Sequence, residues 1–222
     1  MSGTRPDSIH PTYPTYPQGT AIRLLATDLV TPRTREVLRS RIAAHENPDA
    51  SAPRFFTNAE FSTLQAVCAR LIPQPDRERP IDLAGPIDQR LAAGMTNGWR
   101  YDTMPPDREA FRRAMRGLDE TARTVSNDQT ETDPGTRFEM LDGDAQDMVL
   151  EAVQRGDAAG ATWKTMPSAR WFEELLTELV TLYYSHPIAQ DEIGYAGYAD
   201  AHGWQLIGLD ELESFEPRPI SE

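Results

Sequence analysis

The sequence predicts an all-α fold, an irregular helical bundle with an extended N-terminal arm and an aromatic C-terminal tail. Three observations lead there. Apolar residues recur three and four apart in several separate runs, each bracketed by capping and breaking residues. No segment alternates apolar and polar residues convincingly enough to read as a strand. The two ends, rich in Pro and Tyr at the start and in Gly and large rings at the close, follow neither period. One helical domain over residues 21–209 is expected, between an arm over 1–20 and an acidic tail over 210–222. No internal repeat is found.

The elements follow in order. Pro6, Pro11, Pro14 and Pro17, interleaved with Tyr13 and Tyr16, make the first segment an extended arm, disordered or laid against a partner. Thr31 before Pro32 opens a helix over about 32–45, with Val37, Leu38 and Ile42 on its apolar face. Thr57 and Glu60 form a capping box, and Phe56 with Phe61 a hydrophobic staple. Phe61, Leu64, Cys68, Leu71 and Ile72 continue at helical spacing until Pro73. Pro86 opens a short helix that Gly94 closes. Pro105-Pro106-Asp107 starts the next, where Phe111, Met115, Leu118 and Ala122 share a face. Residues 126–135 read as a polar loop. Met148, Val149, Ala152 and Val153 mark a helix over about 144–155 ended by Gly156, and Ser168 caps a last long helix over 169–185.

Composition narrows the function classes. A chain of 222 residues buries roughly 70% of its unfolded surface. Its 35 acidic against 22 basic residues give a net charge of -13, which argues against a nucleic-acid or anionic-membrane partner and for a self-repelling soluble surface. Cys68 is the only cysteine, so an intrachain disulfide and Cys-ligated metal centres are excluded, and it reads as a small buried hydrophobe. No apolar run approaches the roughly 18 residues of a membrane span. Met1 to Gly19 has no signal-peptide pattern, and the Arg112-Arg113 pair sits mid-chain in a helical pattern rather than in an export signal. The expected location is the cytoplasm, or outside it only if a partner carries the chain.

The search for chemistry finds little. His186, Asp191 and Glu192 have the residue types for acid–base or metal work, without a metal spacing. The plainer reading makes His186 the terminator of the long helix and the two acids solvated. The histidines His10, His45, His186 and His202 share no helical face. Glu173, Glu174 and Glu178 read as the wet side of an amphipathic helix. Asp142-Gly143-Asp144 resembles the start of a calcium loop but lacks its later ligands and reads as helix entry. No phosphate-cradling loop, dinucleotide fingerprint or nucleophile elbow occurs. The aromatic C-terminal segment stands out, because rings without periodicity need a surface to lie on.

Phe-Thr-x-x-Glu-Phe-x-x-Leu ending at Leu71-Ile72-Pro73, with a Pro86-Ile87-Asp88 helix start, resembles the opening of the gluconate 2-dehydrogenase subunit 3 family. Tyr183-Tyr184-Ser185-His186-Pro187, Glu192-Ile193-Gly194-Tyr195 and Gly203-Trp204-x-Leu206-Ile207-Gly208 resemble its close, so the similarity spans roughly residues 55–209. The resemblance implies a non-catalytic small subunit of an FAD-dependent sugar or polyol dehydrogenase. FAD would sit in a partner flavoprotein of the glucose–methanol–choline (GMC) oxidoreductase family, and this chain would carry no cofactor. A cytochrome c or another electron acceptor completes many such complexes. In this family the small subunit supports maturation of the large one, and many members carry a twin-arginine export signal that this sequence lacks. Glu192-Ile193-Gly194-Tyr195 stands where many relatives have a Gly-Gly-Asn element, and resembles a branch that oxidises sugar or glycoside hydroxyls.

Trp171, Tyr183, His186, Tyr195 and Trp204 are the expected partner anchors, and no residue is expected to be catalytic or to bind metal. Two other readings stand beside this one. The first is a helical scaffold with unrelated partners; the second is a stand-alone sugar-modifying enzyme using His186, Asp191 and Glu192.

Overall fold

The computed structural model describes residues 14–47, 52–96, 98, 101–125 and 135–220. Most of the N-terminal arm, His10 and nearly all of the 126–135 loop lie outside them. Among the described residues eight α-helices follow in order: α1 (Thr20–Leu24), α2 (Pro32–Glu46), α3 (Asn58–Leu71), α4 (Ala84–Ala92), α5 (Asp107–Val125), α6 (Gly143–Arg155), α7 (Ser168–Tyr184) and α8 (Pro187–Glu192). Two 3₁₀ turns, Phe138–Met140 and Thr162–Lys164, complete the set, and the described residues form no sheet. The fold is all-α, as the periodicity predicts. The chain divides into two units, residues 49–183 and residues 1–48 with 184–222.

In the 49–183 unit, α3 begins at the predicted capping box. The Glu60 N–H donates to Thr57 Oγ1 at 3.2 Å, and the Thr57 N–H donates to the Glu60 carboxylate at 2.8 Å. Such caps contribute about 1 kcal/mol. The segment before it is fixed by buried Asp88 of α4, which accepts the N–H groups of Arg54 at 2.6 Å and of Phe55 and Phe56 at 2.9 Å. Pro86 does not open α4; the helix starts two residues earlier. A proline fits there because the first turn's N–H groups have no intrahelical partner. Gly94 (φ 68°) closes α4 as predicted, with its N–H on the Leu91 carbonyl and that of Met95 on Arg90, both at 3.1 Å.

The predicted α5 face is entirely buried: Phe111, Met115, Leu118 and Ala122. On α6 the buried side is Gln146, Val149, Leu150 and Val153, and Met148, expected with them, is exposed because it lies about 150° round the helix from the centre of that stripe. Ser168 does not cap α7. Pro167 supplies the carbonyl for the Trp171 N–H at 3.2 Å, and the Ser168 hydroxyl donates to the Val153 carbonyl at 2.9 Å near the end of α6. That carbonyl, one of the last four of α6, also accepts the Gly156 N–H at 3.2 Å.

A chain of rings runs through this unit. Phe55 meets Phe56 edge-on (centroids 4.8 Å apart), Phe56 lies 6.4 Å from Phe111, Phe111 6.2 Å from Trp171, and Trp171 6.0 Å from Trp163. Beside it Arg90 grips Glu178 with two bonds of 2.7 and 2.9 Å and Asp107 with one of 2.9 Å. Burial pulls the Arg90 pKa down, and the two carboxylates more than offset it, so its charge is held firmly. Cys68 is buried, and burial pushes its thiol up to about 12, which leaves it unreactive.

The other unit is built on α1, α2 and α8. Neither α1 nor α8 is predicted, since five or six residues are too few to show a period. Ala21, Leu24, Leu25, Val30 and Leu38 form its core with Ala196 and Tyr198 from the C-terminal segment. Ile42 packs on this core as predicted, whereas Val37 faces water because Leu38 and Ile42 define the inward stripe of α2.

Candidate functional site

The C-terminal segment lies on its own chain. Thr31 N–H and the Thr34 hydroxyl donate to Asp200, each at 2.8 Å, and the Ala201 N–H donates to the Leu29 carbonyl at 2.9 Å. The Ile220 N–H reaches the Thr15 carbonyl at 2.8 Å. Tyr16, the described end of the Pro/Tyr arm, packs on Gly194, where a Cβ would stand 2.4 Å from its ring. Gly194 also has φ 64°, so the position suits glycine twice over.

His186 does not terminate the long helix. It opens α8, accepting the Ile188 N–H on Nδ1 at 3.2 Å. Nδ1 therefore carries no proton, and Nε2–H faces the Arg41 carbonyl at 3.3 Å. The His45 ring stands edge-on to it at 5.3 Å, a pairing across the unit that no helical spacing reveals. Nor is Asp191 solvated. It is buried and accepts the N–H groups of Gly19 and Ala21, each at 2.8 Å. Burial pushes its carboxyl above the ordinary value, and those two bonds with the Arg23 charge pull it part of the way back. Glu192 is exposed. Backbone groups thus occupy both ring nitrogens of His186 and both oxygens of Asp191. No group of three or more His, Cys, Asp or Glu side chains placed to hold a metal occurs among the described residues.

The five expected anchors fall into two sets. Trp171 is fully buried within the ring chain, Tyr183 lies under the Arg77 guanidinium at 5.8 Å, and His186 is buried as a cap. Tyr195 is 48% exposed, and Trp204 is half-buried with its ring 5.2 Å from Phe215. Tyr198 is buried, and burial, then the Asp191 charge, raises its phenol.

Attention to rings misses the aliphatic side chains between them. Ile207 is 83% and Leu209 93% exposed, with Leu206, Leu212 and Ile220 beside them in the same segment. The backbone under them is nonetheless fixed: the Leu206 N–H donates to the Glu213 carboxylate at 2.9 Å, and that of Gln205 bonds the same oxygen. The signal was present as aliphatic residues in a stretch with no period able to bury them.

The family model described as gluconate 2-dehydrogenase subunit 3 matches residues 58–208, which runs from the first residue of α3 into this exposed segment. The chain belongs to that family. Its members are subunits of a dehydrogenase, and the matched span contains the Pro86-Ile87-Asp88, His186-Pro187 and Gly203-Trp204 elements. Asp88 and His186, two of the residues in those elements, turn out to be backbone caps. No curated protein and no solved structure matches the chain significantly. No helix among the described residues is long and apolar enough to cross a membrane.

Proposed function

We propose that this chain is the non-catalytic small subunit of an FAD-dependent sugar or glycoside dehydrogenase, and that it binds and matures a GMC-type flavoprotein. The observation that carries this reading is the exposed aliphatic segment around Ile207 and Leu209, on a backbone braced by its own chain. Side chains of that kind gain about 25 cal/mol for each Å² removed from water, and a partner surface is what removes them. Tyr195 and Trp204 flank the segment as its aromatic anchors, while Trp171, Tyr183 and His186 act indirectly by fixing the scaffold.

In this reading FAD sits in the partner flavoprotein, and this chain contributes binding surface alone. A cytochrome c or another acceptor takes the electrons onward. A subunit that binds only the folded flavoprotein stabilises it by roughly 3–4 kcal/mol at 100–1,000 times the dissociation constant. The interface should bury on the order of 2,000 Å² in total.

The test is to produce the flavoprotein with and without this chain. Soluble yield, FAD content and dehydrogenase activity should all rise in its presence. Equal values in both preparations would remove the proposal.

A further inference from the structure

The exposed face of α5 carries a feature that the proposed docking of the C-terminal segment does not use. Arg108, Arg112 and Arg116 stand at i, i+4 and i+8, so they line one side of the helix over about 12 Å. The Phe55 ring lies beneath the first two, with their guanidinium carbons 5.0 and 4.5 Å from its centroid. Arg112 also donates to the Phe55 carbonyl at 2.9 Å. Stacking of this kind restrains a guanidinium while leaving N–H groups directed at water. With Glu109 and Arg113 these residues line an open cleft of about 370 Å³.

The charge balance makes the row conspicuous. Acids outnumber bases 35 to 22, and 21 of those bases are arginine. Elsewhere in this unit several arginines find carboxylates: Arg70 has Asp147, Arg90 has Glu178 and Asp107, Arg137 has Glu139, Arg155 has Glu151, and Arg170 has Glu173. On the α5 face Glu109 is taken by Arg113. Among the described residues, Arg108, Arg112 and Arg116 have no carboxylate partner.

We infer that this face docks a carboxylate-bearing acidic segment of a partner protein, with Asp or Glu at a spacing that matches the arginine row. A guanidinium fork fits a carboxylate through two parallel bonds. A row of about 12 Å is longer than one free anion can bridge, so the three arginines act together only on a segment with several acids. A nucleic acid, with a phosphate charge every few ångströms, would meet the repulsion of a chain carrying -13; a short acidic segment presents far fewer charges to it. The inference goes beyond the proposed function and uses different residues.

The experiment titrates the full chain with a labelled helical peptide bearing Glu at every fourth position, and with its Gln counterpart. At low salt the Glu peptide should bind at least fivefold more tightly, and the difference should shrink as salt rises. Arg108→Gln with Arg116→Gln should remove the preference while lowering the melting temperature only slightly. Among the described residues neither side chain makes a hydrogen bond or ion pair, and Arg108 loses only its stacking on Phe55; Arg112 stays because it also bonds the Phe55 carbonyl. Should that variant fold poorly, the two peptides on the unaltered chain decide the matter. Equal binding of both peptides, binding unchanged in a folded double variant, displacement of the peptide by an equal concentration of inorganic phosphate, or tighter binding of a single-stranded oligonucleotide would each overturn the inference. None of these outcomes involves the flavoprotein, so they stand apart from those of the co-production test.

Discussion

Asp191 accepts the backbone N–H of Ala21 at 2.8 Å, which makes a carboxylate near the end of the chain the cap of its first helix. The Gly19 N–H bonds the second oxygen at the same distance. Burial holds this carboxyl above its ordinary value, so the folded state keeps the proton more tightly than the unfolded state. The associated stability is fully present below the unfolded value of about 3.9 and is lost as pH rises through the folded value. Asp191→Asn removes the titration but keeps one acceptor. The stability of the natural chain relative to this variant should therefore fall as pH is raised from about 3.5 to 7, as read by urea unfolding of both proteins. A constant difference across that range would contradict the linkage.

The long elements were legible because their burial is periodic: Phe111, Met115, Leu118 and Ala122 on α5 are buried as their spacing requires. Glycine and capping signals were equally direct at Gly94, Gly156 and Thr57. What periodicity does not encode was missed. The helices α1 and α8 are shorter than two turns, the roles of Asp88 and Asp191 depend on backbone donors far away in sequence, and His186 caps the nearby Ile188 N–H while its other nitrogen meets the distant Arg41 carbonyl. Of the candidate site, the rings were read and the aliphatics between them were not. The arginine row on α5 has an i, i+4, i+8 spacing, but nothing in that spacing says that Phe55 lies beneath it or that its carboxylate neighbour Glu109 is held by Arg113.

Gly117 leaves room for Trp163. A Cβ at this position would stand 2.5 Å from the indole, whose Nε1–H donates to the Gly117 carbonyl at 3.1 Å and to Thr121 Oγ1 at 3.0 Å. Alanine would otherwise favour a helix by about 1 kcal/mol over glycine. Overpacking costs typically 1–3 kcal/mol, and here the indole cannot retreat without giving up both bonds. Gly117→Ala should lower the melting temperature and alter the near-ultraviolet tryptophan circular dichroism. An unchanged or raised melting temperature would show that the ring gives way freely.

Among the described residues Arg90 is the single cation paired with Glu178 and Asp107, and all three side chains are largely buried. Arg90→Met preserves much of the stem packing over Phe111 but leaves two carboxylates facing each other without a counter-charge. Removing one member of such a buried set typically costs 3–5 kcal/mol. Adding Glu178→Gln and Asp107→Asn should recover a large part of that loss, because the cost lies in the stranded charges. Denaturant midpoints of the single and triple variants measure both effects. A triple variant no more stable than Arg90→Met would place the cost in lost packing.

Ile207 and Leu209 contribute little to the folded chain itself, since both are almost wholly in water. Ile207→Ser with Leu209→Ser should therefore shift the stability of the isolated protein by no more than about 0.5 kcal/mol for each substitution. Binding is a different matter if these side chains sit in the centre of a subunit interface, where truncating an anchor commonly costs more than 1 kcal/mol. Two such losses amount to tenfold or more in affinity for the flavoprotein. Affinity purification on a tagged copy of this chain, followed by flavin absorbance of the recovered complex, reads that loss directly. The contrast between an unmoved melting curve and a depleted flavin signal separates an interface role from a folding role. Full recovery of flavin with the serine variant would mean that the exposed aliphatics of this segment are not where the partner binds.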